Sequence, residues 1–226
     1  AAGIFGAGLH VTHGSLEGLE VDGLEGNDTF FVLNTAGDVA TTLVGGSGSD
    51  TVNVAGDVTL PIVQGLEPTP LPAATHTTDQ FQGPLTVEGF NGDSPARSIA
   101  TAVILPGESD DGPFAFPPPP ADDRAGIDRI TVFNDRSTTA DTGTLTGTTL
   151  SGLSTAGITY RAVEVMDVLL GTGNDRFTVN GTLTADGVHV GITLVQVGGG
   201  DDTLIVTGGG SASPLVLFGD TAQDGR

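Results

Sequence analysis

The sequence predicts an all-β fold, built as a parallel β-solenoid of the β-helix or β-roll kind with proline-rich loop insertions. Three observations carry this prediction. The 36 glycines and 13 prolines among 226 residues interrupt helices. Aromatic residues make up only 5 % of the chain and Trp is absent, so a core has to come from small aliphatic side chains stacked in layers. One short glycine-aspartate pattern also recurs along the chain, as stacked turns do.

The recurring pattern is a glycine-rich turn, an aspartate and then a strand. It occurs four times, at residues 23–30, 45–52, 170–177 and 197–204. Asp28 and Asp50 are 22 residues apart, and Asp175 and Asp202 are 27 residues apart. Because these distances suit one coil of a solenoid, we expect Asp28 to stack near Asp50 and Asp175 near Asp202.

Short runs rich in β-branched residues predict the strands. The nine runs are Thr29–Leu33, Thr51–Val54, Leu85–Glu88, Ile99–Ile104, Ile130–Phe133, Val163–Leu170, Arg176–Val179, Val188–Val197 and Thr203–Val206. Two segments interrupt this pattern, at 61–82 and 107–123, and the second contains four consecutive prolines. We expect both to be surface excursions, because consecutive prolines favour an extended polyproline conformation.

The second pair of motifs repeats the first after 147 residues for Asp28 and after 152 residues for Asp50. The chain therefore divides into a first repeat module at 1–106, a proline- and aspartate-rich loop or linker at 107–123, and a second module at 124–226. A single continuous solenoid with a long projecting loop is the alternative.

The segment from Gly45 to Asn53, GGSGSDTVN, fits the nonapeptide G-G-x-G-x-D-x-U-x, in which U is a large aliphatic residue. It resembles the repeats-in-toxin, or hemolysin-type calcium-binding, repeats of very large bacterial secreted or adhesin-like surface proteins. The other motifs depart from this pattern, with Leu24 in place of the second glycine and Leu170 or Val197 in place of the first. In that family the motifs follow one another in tandem, whereas here they are separated.

The resemblance implies that the turns present backbone carbonyl oxygens, and that the aspartates join them around calcium, which prefers oxygen ligands. Ca²⁺ is therefore the predicted cofactor. The predicted metal-binding residues are Asp28, Asp50, Asp175, Asp202, Gly26, Gly46, Gly48, Asn27, Asn174 and Asp201. The alternative is that each motif only forms a tight glycine turn, whose aspartate hydrogen-bonds nearby backbone amides.

Charge and composition narrow the function classes. The formal net charge is -21, from 28 acidic and 7 basic residues, which opposes binding to nucleic acid. No apolar run reaches the roughly 18 residues needed to cross a membrane, so no membrane insertion is expected. The absence of cysteine excludes disulfides and thiolate chemistry. The predicted partners are calcium and neighbouring repeats of the same chain, with an extracellular glycan or cell surface as a further candidate.

The predicted function is a calcium-associated structural or adhesive repeat segment of an exported bacterial protein, secreted or held at the cell surface, and not an enzyme. Two alternatives stay open: a carbohydrate-active β-helix enzyme and a metal-independent structural repeat. An enzyme needs a placed base, but Lys is absent and Tyr160 is the single tyrosine. The four histidines stand in no recognisable catalytic motif; they are His10, His13, His76 and His189.

Overall fold

The structure, a computed structural model, describes residues 2–6, 9–58, 73–89, 126–184, 189–209 and 213–220. In these ranges the chain forms sixteen strands and one 3-10 turn, Thr78–Gln80. The strands are β1 (Ala2–Gly6), β2 (Leu9–His13), β3 (Gly18–Asp22), β4 (Thr29–Val32), β5 (Ala40–Val44), β6 (Thr51–Val54), β7 (Leu85–Glu88), β8 (Arg129–Phe133), β9 (Thr142–Leu145), β10 (Thr149–Ser151), β11 (Ile158–Arg161), β12 (Val165–Leu169), β13 (Arg176–Val179), β14 (Ile192–Gln196), β15 (Thr203–Val206) and β16 (Leu215–Phe218). None of the described helices is long and apolar enough to span a bilayer.

Two large sheets contain all of these strands except β1 and β2, which pair antiparallel with each other. One sheet has eight strands in the order β15-β13-β9-β10-β11-β7-β5-β3, and the other has six in the order β16-β14-β12-β8-β6-β4. From β3 to β9, and again from β11 to β16, consecutive strands alternate between the two sheets. Within each of these two stretches, strands that are neighbours in a sheet are therefore separated in sequence by one strand of the other sheet.

The predicted parallel β-solenoid is wrong, because the eight-stranded sheet is mixed and the two sheets stay open. Strand β10 runs antiparallel to both β9 and β11, so three consecutive strands stay in one sheet. The first reversal is a short turn at 146–148, in which the Thr146 hydroxyl accepts hydrogen bonds from the amides of Thr148 and Thr149. The second uses Gly152 and Gly157, both at positive φ. Two successive hairpins thus break the parallel winding.

Seven of the nine predicted strands are confirmed within two residues at each end, and the run at 188–197 differs by up to four. Four match in full, at Thr51–Val54, Leu85–Glu88, Arg176–Val179 and Thr203–Val206. The run at 99–104 lies outside the described residues, as do the loop at 107–123 and part of the run at 188–197. The predicted spacing also gives correct neighbours, since Thr29 pairs with Thr51 and Arg176 with Thr203. Eight strands were not predicted, among them the β9, β10 and β11 group.

Inward-facing side chains from both sheets form one buried hydrophobic cluster, which consists mainly of Val, Leu and Ile. Alternate residues of each strand point into it, as Val52 and Val54 of β6 do. The other sheet contributes Tyr160, whose hydroxyl donates to the backbone carbonyl of Thr146 at 2.6 Å. The cluster crosses the position of the predicted linker, because β6 pairs with β8 and β7 pairs with β11.

The end of the predicted excursion at 61–82 belongs to this core. Phe81 is 1 % exposed, and the backbone N–H of Thr78 donates to Asn134 Oδ1 at 3.0 Å. The prediction of a surface loop is therefore wrong for these residues, while residues 59–72 lie outside the described part of the chain. A short polar sequence around a single aromatic residue gave no signal of this burial.

Candidate functional site at the glycine-aspartate turns

The four glycine-aspartate turns connect the two sheets. The first two link β3 to β4 and β5 to β6, and so lead from the eight-stranded sheet to the six-stranded sheet. The third and fourth link β12 to β13 and β14 to β15, and so lead in the opposite direction. Because these strands run parallel within each sheet, the two pairs of turns lie along opposite edges of the molecule. The two pairs are not equivalent positions of one repeating layer.

Glycine is required in these turns by backbone conformation. The φ angles of Gly26, Gly46 and Gly48 are +121°, +98° and +130°, which an L-residue rarely adopts. Gly200 in the fourth turn has a φ of +125°. At Gly46 and Gly48 a Cβ atom would also overlap the backbone of the preceding turn, so neighbouring turns can stack only without side chains there.

Neighbouring turns are joined directly by backbone hydrogen bonds. The amide of Gly26 donates to the Ser47 carbonyl at 2.8 Å, and the amide of Ser47 donates to the Leu24 carbonyl at 2.8 Å. On the opposite edge, the amide of Gly199 donates to the Gly171 carbonyl at 2.9 Å. These carbonyl oxygens already accept hydrogen bonds between turns.

A ladder of carboxylates runs along the first edge. The backbone N–H of Asp28 donates to Asp50 Oδ1 at 2.8 Å, and that of Asp50 donates to Asp128 Oδ1 at 2.8 Å. The ladder continues from the N–H of Asp128 to Glu164 Oε2 at 2.7 Å. Asp50, Asp128 and Glu164 thus each bind the backbone amide of an acidic residue in the neighbouring turn. We call Asp28, Asp50, Asp128 and Glu164 the first ladder.

A second ladder follows the opposite edge. The backbone N–H of Asp141 donates to Asp175 Oδ1 at 2.8 Å, and that of Asp175 donates to Asp202 Oδ1 at 2.9 Å. Asp175 is 2 % exposed, although it carries a carboxylate. We call Asp141, Asp175 and Asp202 the second ladder.

Asparagine side chains make the same kind of contact beside each ladder. The amide of Ser49 donates to Asn27 Oδ1 at 2.9 Å, and the amide of Asp201 donates to Asn174 Oδ1 at 2.9 Å. Asn27 and Asn174, predicted as calcium ligands, therefore cap amides of the neighbouring turns.

Three ladder residues were missed by the motif search: Asp128, Asp141 and Glu164. None of them follows a G-x-G sequence, but each stands immediately before a strand, as the four predicted aspartates do. An acidic residue directly before a β-branched run is the signal that would have found all seven. The glycines identify only the turns that stack closely enough to exclude side chains.

Burial alters the electrostatics of these carboxyl groups. Burial raises the pKa of Asp28 above its usual value. Burial also raises the pKa of Asp175; the amides of Asp141 and Gly171 lower it, and the nearby charges of Asp141 and Asp202 raise it further. Asp175 is therefore repelled by its two neighbours in the second ladder while it binds the amide of Asp141.

The predicted ligands are thus brought together in two groups, six residues at the first edge and four at the opposite edge. Asp50, Asp128, Asp175 and Asp202 each use one oxygen for the backbone amide of a neighbouring turn. Asp28 Oδ2 and Asp202 Oδ2 are buried and accept no hydrogen bond from the described residues. Among those residues, no three His, Cys, Asp or Glu side chains are grouped so as to hold a metal ion. Calcium takes about six to eight oxygens, so a calcium site between these turns would need backbone carbonyl oxygens in addition to the carboxylates.

The histidines and the tyrosine lie apart from these turns. His76 is buried against Asp135, and Tyr160 points into the core. Comparison of the chain with family models, with curated proteins and with solved structures gave no match.

Proposed function

We propose that this chain is a structural repeat segment, a rigid spacer in which carboxylate ladders hold successive turns in register. The observation that carries the proposal is the repeated bond from a ladder carboxylate to the amide of the neighbouring turn, which recurs five times at 2.7 to 2.9 Å. Hydrogen bonds to a charged acceptor are stronger than neutral ones. A turn held by such hydrogen bonds to its neighbour is rigid without a bound ligand.

The resemblance to hemolysin-type repeats supports placing this scaffold in an exported bacterial protein, outside the cell or at its surface. The acidic composition, with a net charge of -21, and the absence of cysteine are compatible with that location. In this role the ladders resist deformation of the turns, and the sheets set the length of the segment.

Calcium binding is the second candidate, and one observation favours it. Asp28 Oδ2 and Asp202 Oδ2 are buried without a hydrogen-bond donor among the described residues, and buried acceptors of this kind are costly. A cation would remove that cost and would offset the repulsion between stacked carboxylates. Backbone carbonyl oxygens of the turns would supply its further ligands.

Thermal unfolding in chelator, in calcium and in magnesium separates the two candidates. A metal-independent scaffold should give one cooperative loss of β-sheet circular dichroism in chelator, with a Tm that calcium changes by no more than about 2 °C. A calcium site saturated a hundredfold above its Kd should add about 2.7 kcal/mol of stability. That gain would appear with calcium but not with magnesium.

Asp202→Asn is the variant that decides how a calcium effect arises. It keeps an oxygen for the amide of Asp175 but removes the charge that an ion would need. Asp38→Asn, at an exposed position, is the matched control. If calcium raises the Tm of the parent chain and of the control, but not of Asp202→Asn, the metal-independent scaffold is overturned.

A further inference from the structure

A buried histidine lies at the end of the six-stranded sheet, and its backbone is held on both sides. The N–H of His76 donates to the Ala55 carbonyl at 3.1 Å, and its carbonyl accepts from the N–H of Arg136 at 3.1 Å. Ala55 directly follows β6, and Arg136 lies three residues after β8, which pairs with β6. The imidazole ring is therefore fixed between the ends of two neighbouring strands.

The two nitrogen atoms of this ring have different surroundings. Nδ1 lies 2.8 Å from Asp135 Oδ1, which is a hydrogen-bond distance, and the ring packs against Phe133 with the ring centroids 5.2 Å apart. Nε2 is buried and makes no hydrogen bond with the described residues. A proton on Nδ1, held by a carboxylate, leaves the lone pair on Nε2, and histidines that bind metal ions have this arrangement.

Asp57 places a second carboxylate beside Nε2. The chain reaches this position through Gly56, where a Cβ atom would overlap the ring of Phe133. Asp57 Oδ1 lies 3.3 Å from Nε2, whereas a charged hydrogen bond is usually about 2.7 to 2.9 Å long. Two ligand atoms that each lie about 2.0 to 2.1 Å from a tetrahedral ion are about 3.3 to 3.4 Å apart. The two atoms therefore have the separation of two zinc ligands.

We propose that His76 Nε2 and Asp57 Oδ1 bind one Zn²⁺ ion, and that Asp135 holds the ring in the tautomer that binds it. The nitrogen ligand favours a transition ion such as zinc over calcium, which prefers oxygen ligands. Among the described residues no third His, Cys, Asp or Glu completes the site. The side chain of Asp57 is 67 % exposed, so water molecules fill the remaining coordination positions.

The ion would join two parts of the chain that are 19 residues apart in sequence, the segment after β6 and the segment before β7. The site uses none of the residues of the two carboxylate ladders. The proposal is therefore independent of the scaffold role and of calcium binding at the glycine-aspartate turns.

Calorimetric titration of Zn²⁺ into the whole chain, after treatment with chelator, tests the proposal. We expect one saturable site per chain with a Kd below about 0.1 mM. His76→Ala and Asp57→Ala each remove one ligand, and each should raise that Kd at least tenfold. A tenfold excess of Ca²⁺ or Mg²⁺ should change the Kd for zinc by no more than about twofold, because neither ion favours a nitrogen ligand.

His13→Ala and Asp38→Ala are the matched controls, because His13 ends β2 and Asp38 is exposed. Both should bind zinc like the parent chain. Asp57 is exposed, so the fold should tolerate Asp57→Ala. If His76→Ala loses its circular dichroism signal, the Kd of Asp57→Ala decides.

Nitrogen NMR of the chain with labelled histidines identifies the ligand atom. One of the four histidines should show a zinc-induced shift at Nε2 and keep its proton on Nδ1, and this signal should be missing from His76→Ala. A parent chain without a saturable site, an unchanged Kd in Asp57→Ala, or a zinc-shifted signal that persists in His76→Ala would each overturn the proposal.

Discussion

Asp50 Oδ1 accepts a hydrogen bond from the backbone N–H of Asp28 at 2.8 Å, across 22 residues of sequence. A backbone carbonyl would fill this position within a regular sheet, but the chain is turning here, so a side chain takes its place. Asp50 is 2 % exposed, and its own amide is bound by Asp128. One residue therefore acts as acceptor towards one turn and as donor towards the next.

Asp50→Ala should lower the free energy of unfolding by about 1 to 3 kcal/mol, because it leaves the half-buried amide of Asp28 without its acceptor. Asp50→Asn keeps an oxygen at that place and should cost less. Urea denaturation in chelator measures both. Asp38→Ala, at an exposed position, is the control and should change stability by no more than about 0.5 kcal/mol. Equal losses for the Ala and Asn variants would show that charge, rather than the amide bond, matters.

Three glycines of the turns should differ in their tolerance of alanine. Gly48 combines a φ of +130° with a site where a Cβ would overlap the carbonyl of Gly26. Gly26 has a φ of +121° but open space around it, and Gly199 has open space without a positive φ. Gly26→Ala should cost about 1 to 3 kcal/mol through backbone strain alone, and Gly48→Ala should cost more.

Gly199→Ala is the matched control, since it lies in the fourth turn and should change stability by no more than about 0.5 kcal/mol. Chemical denaturation of the three variants gives the ranking. If Gly48→Ala were as stable as Gly199→Ala, the neighbouring turns would not stack as closely as described.

The sequence predicted the strands and their neighbours better than the architecture. The spacing of Asp28 and Asp50 gave the correct pairing of β4 with β6, because stacked turns of equal length keep their strands in register. The antiparallel β10 was missed because Thr149–Ser151 is only three residues long and shows no distinct hydrophobic period. The solenoid prediction is wrong at this strand, because β10 runs antiparallel to its neighbours.

The motif predicted which turns lie beside each other but left their chemistry open. The motif placed Asp28 beside Asp50, and the same motif is compatible with either a metal ligand or a tight turn. Which of these applies depends on where the carboxylate oxygens point, and here one oxygen of Asp50 binds the amide of Asp28. The spacing of the motifs predicts which residues are neighbours, but it does not predict where their side-chain oxygens point. Glu164 was missed because its turn contains no glycine pattern.

We expect His76 to stabilise the segment at 73–89, where the chain packs against the core before and through β7. Its Nδ1 lies 2.8 Å from Asp135 Oδ1 and its Nε2 lies 3.3 Å from Asp57 Oδ1, and the residue is 8 % exposed. His76→Ala should lower stability by about 1 to 3 kcal/mol, because it removes the buried hydrogen bond to Asp135 and the ring contact with Phe133. Hydrogen exchange should show faster opening of residues 73–89 than of β12.

His13→Ala is the control for this prediction, since His13 lies at the end of β2, outside the two large sheets. It should leave the exchange of 73–89 unchanged. Equal exchange rates in the two variants would show that Phe81 and its neighbours hold this segment without the histidine.

Because of Asp167 on β12, the protein should be more stable in mild acid than at neutral pH. Burial raises the pKa of Asp167 above its ordinary value, while the hydrogen bond from Gln196 and the charge of Arg129 lower it in part. A carboxyl with a raised pKa binds its proton more tightly in the folded state than in the unfolded state. Its stabilising contribution is therefore present below the unfolded pKa and is lost as pH rises through the folded value. Asp28 and Asp175 act in the same direction.

Asp167→Asn mimics the protonated group, so it should raise the Tm by roughly 1 to 4 °C at pH 7 and should have little effect near pH 4. Thermal melts at constant ionic strength measure this difference. Removing any carboxylate also reduces the repulsion in a chain with a net charge of -21, and the exposed Asp38→Asn corrects for that effect. If Asp167→Asn gains no more than Asp38→Asn at pH 7, the cost of burying Asp167 is already met by Gln196 and Arg129.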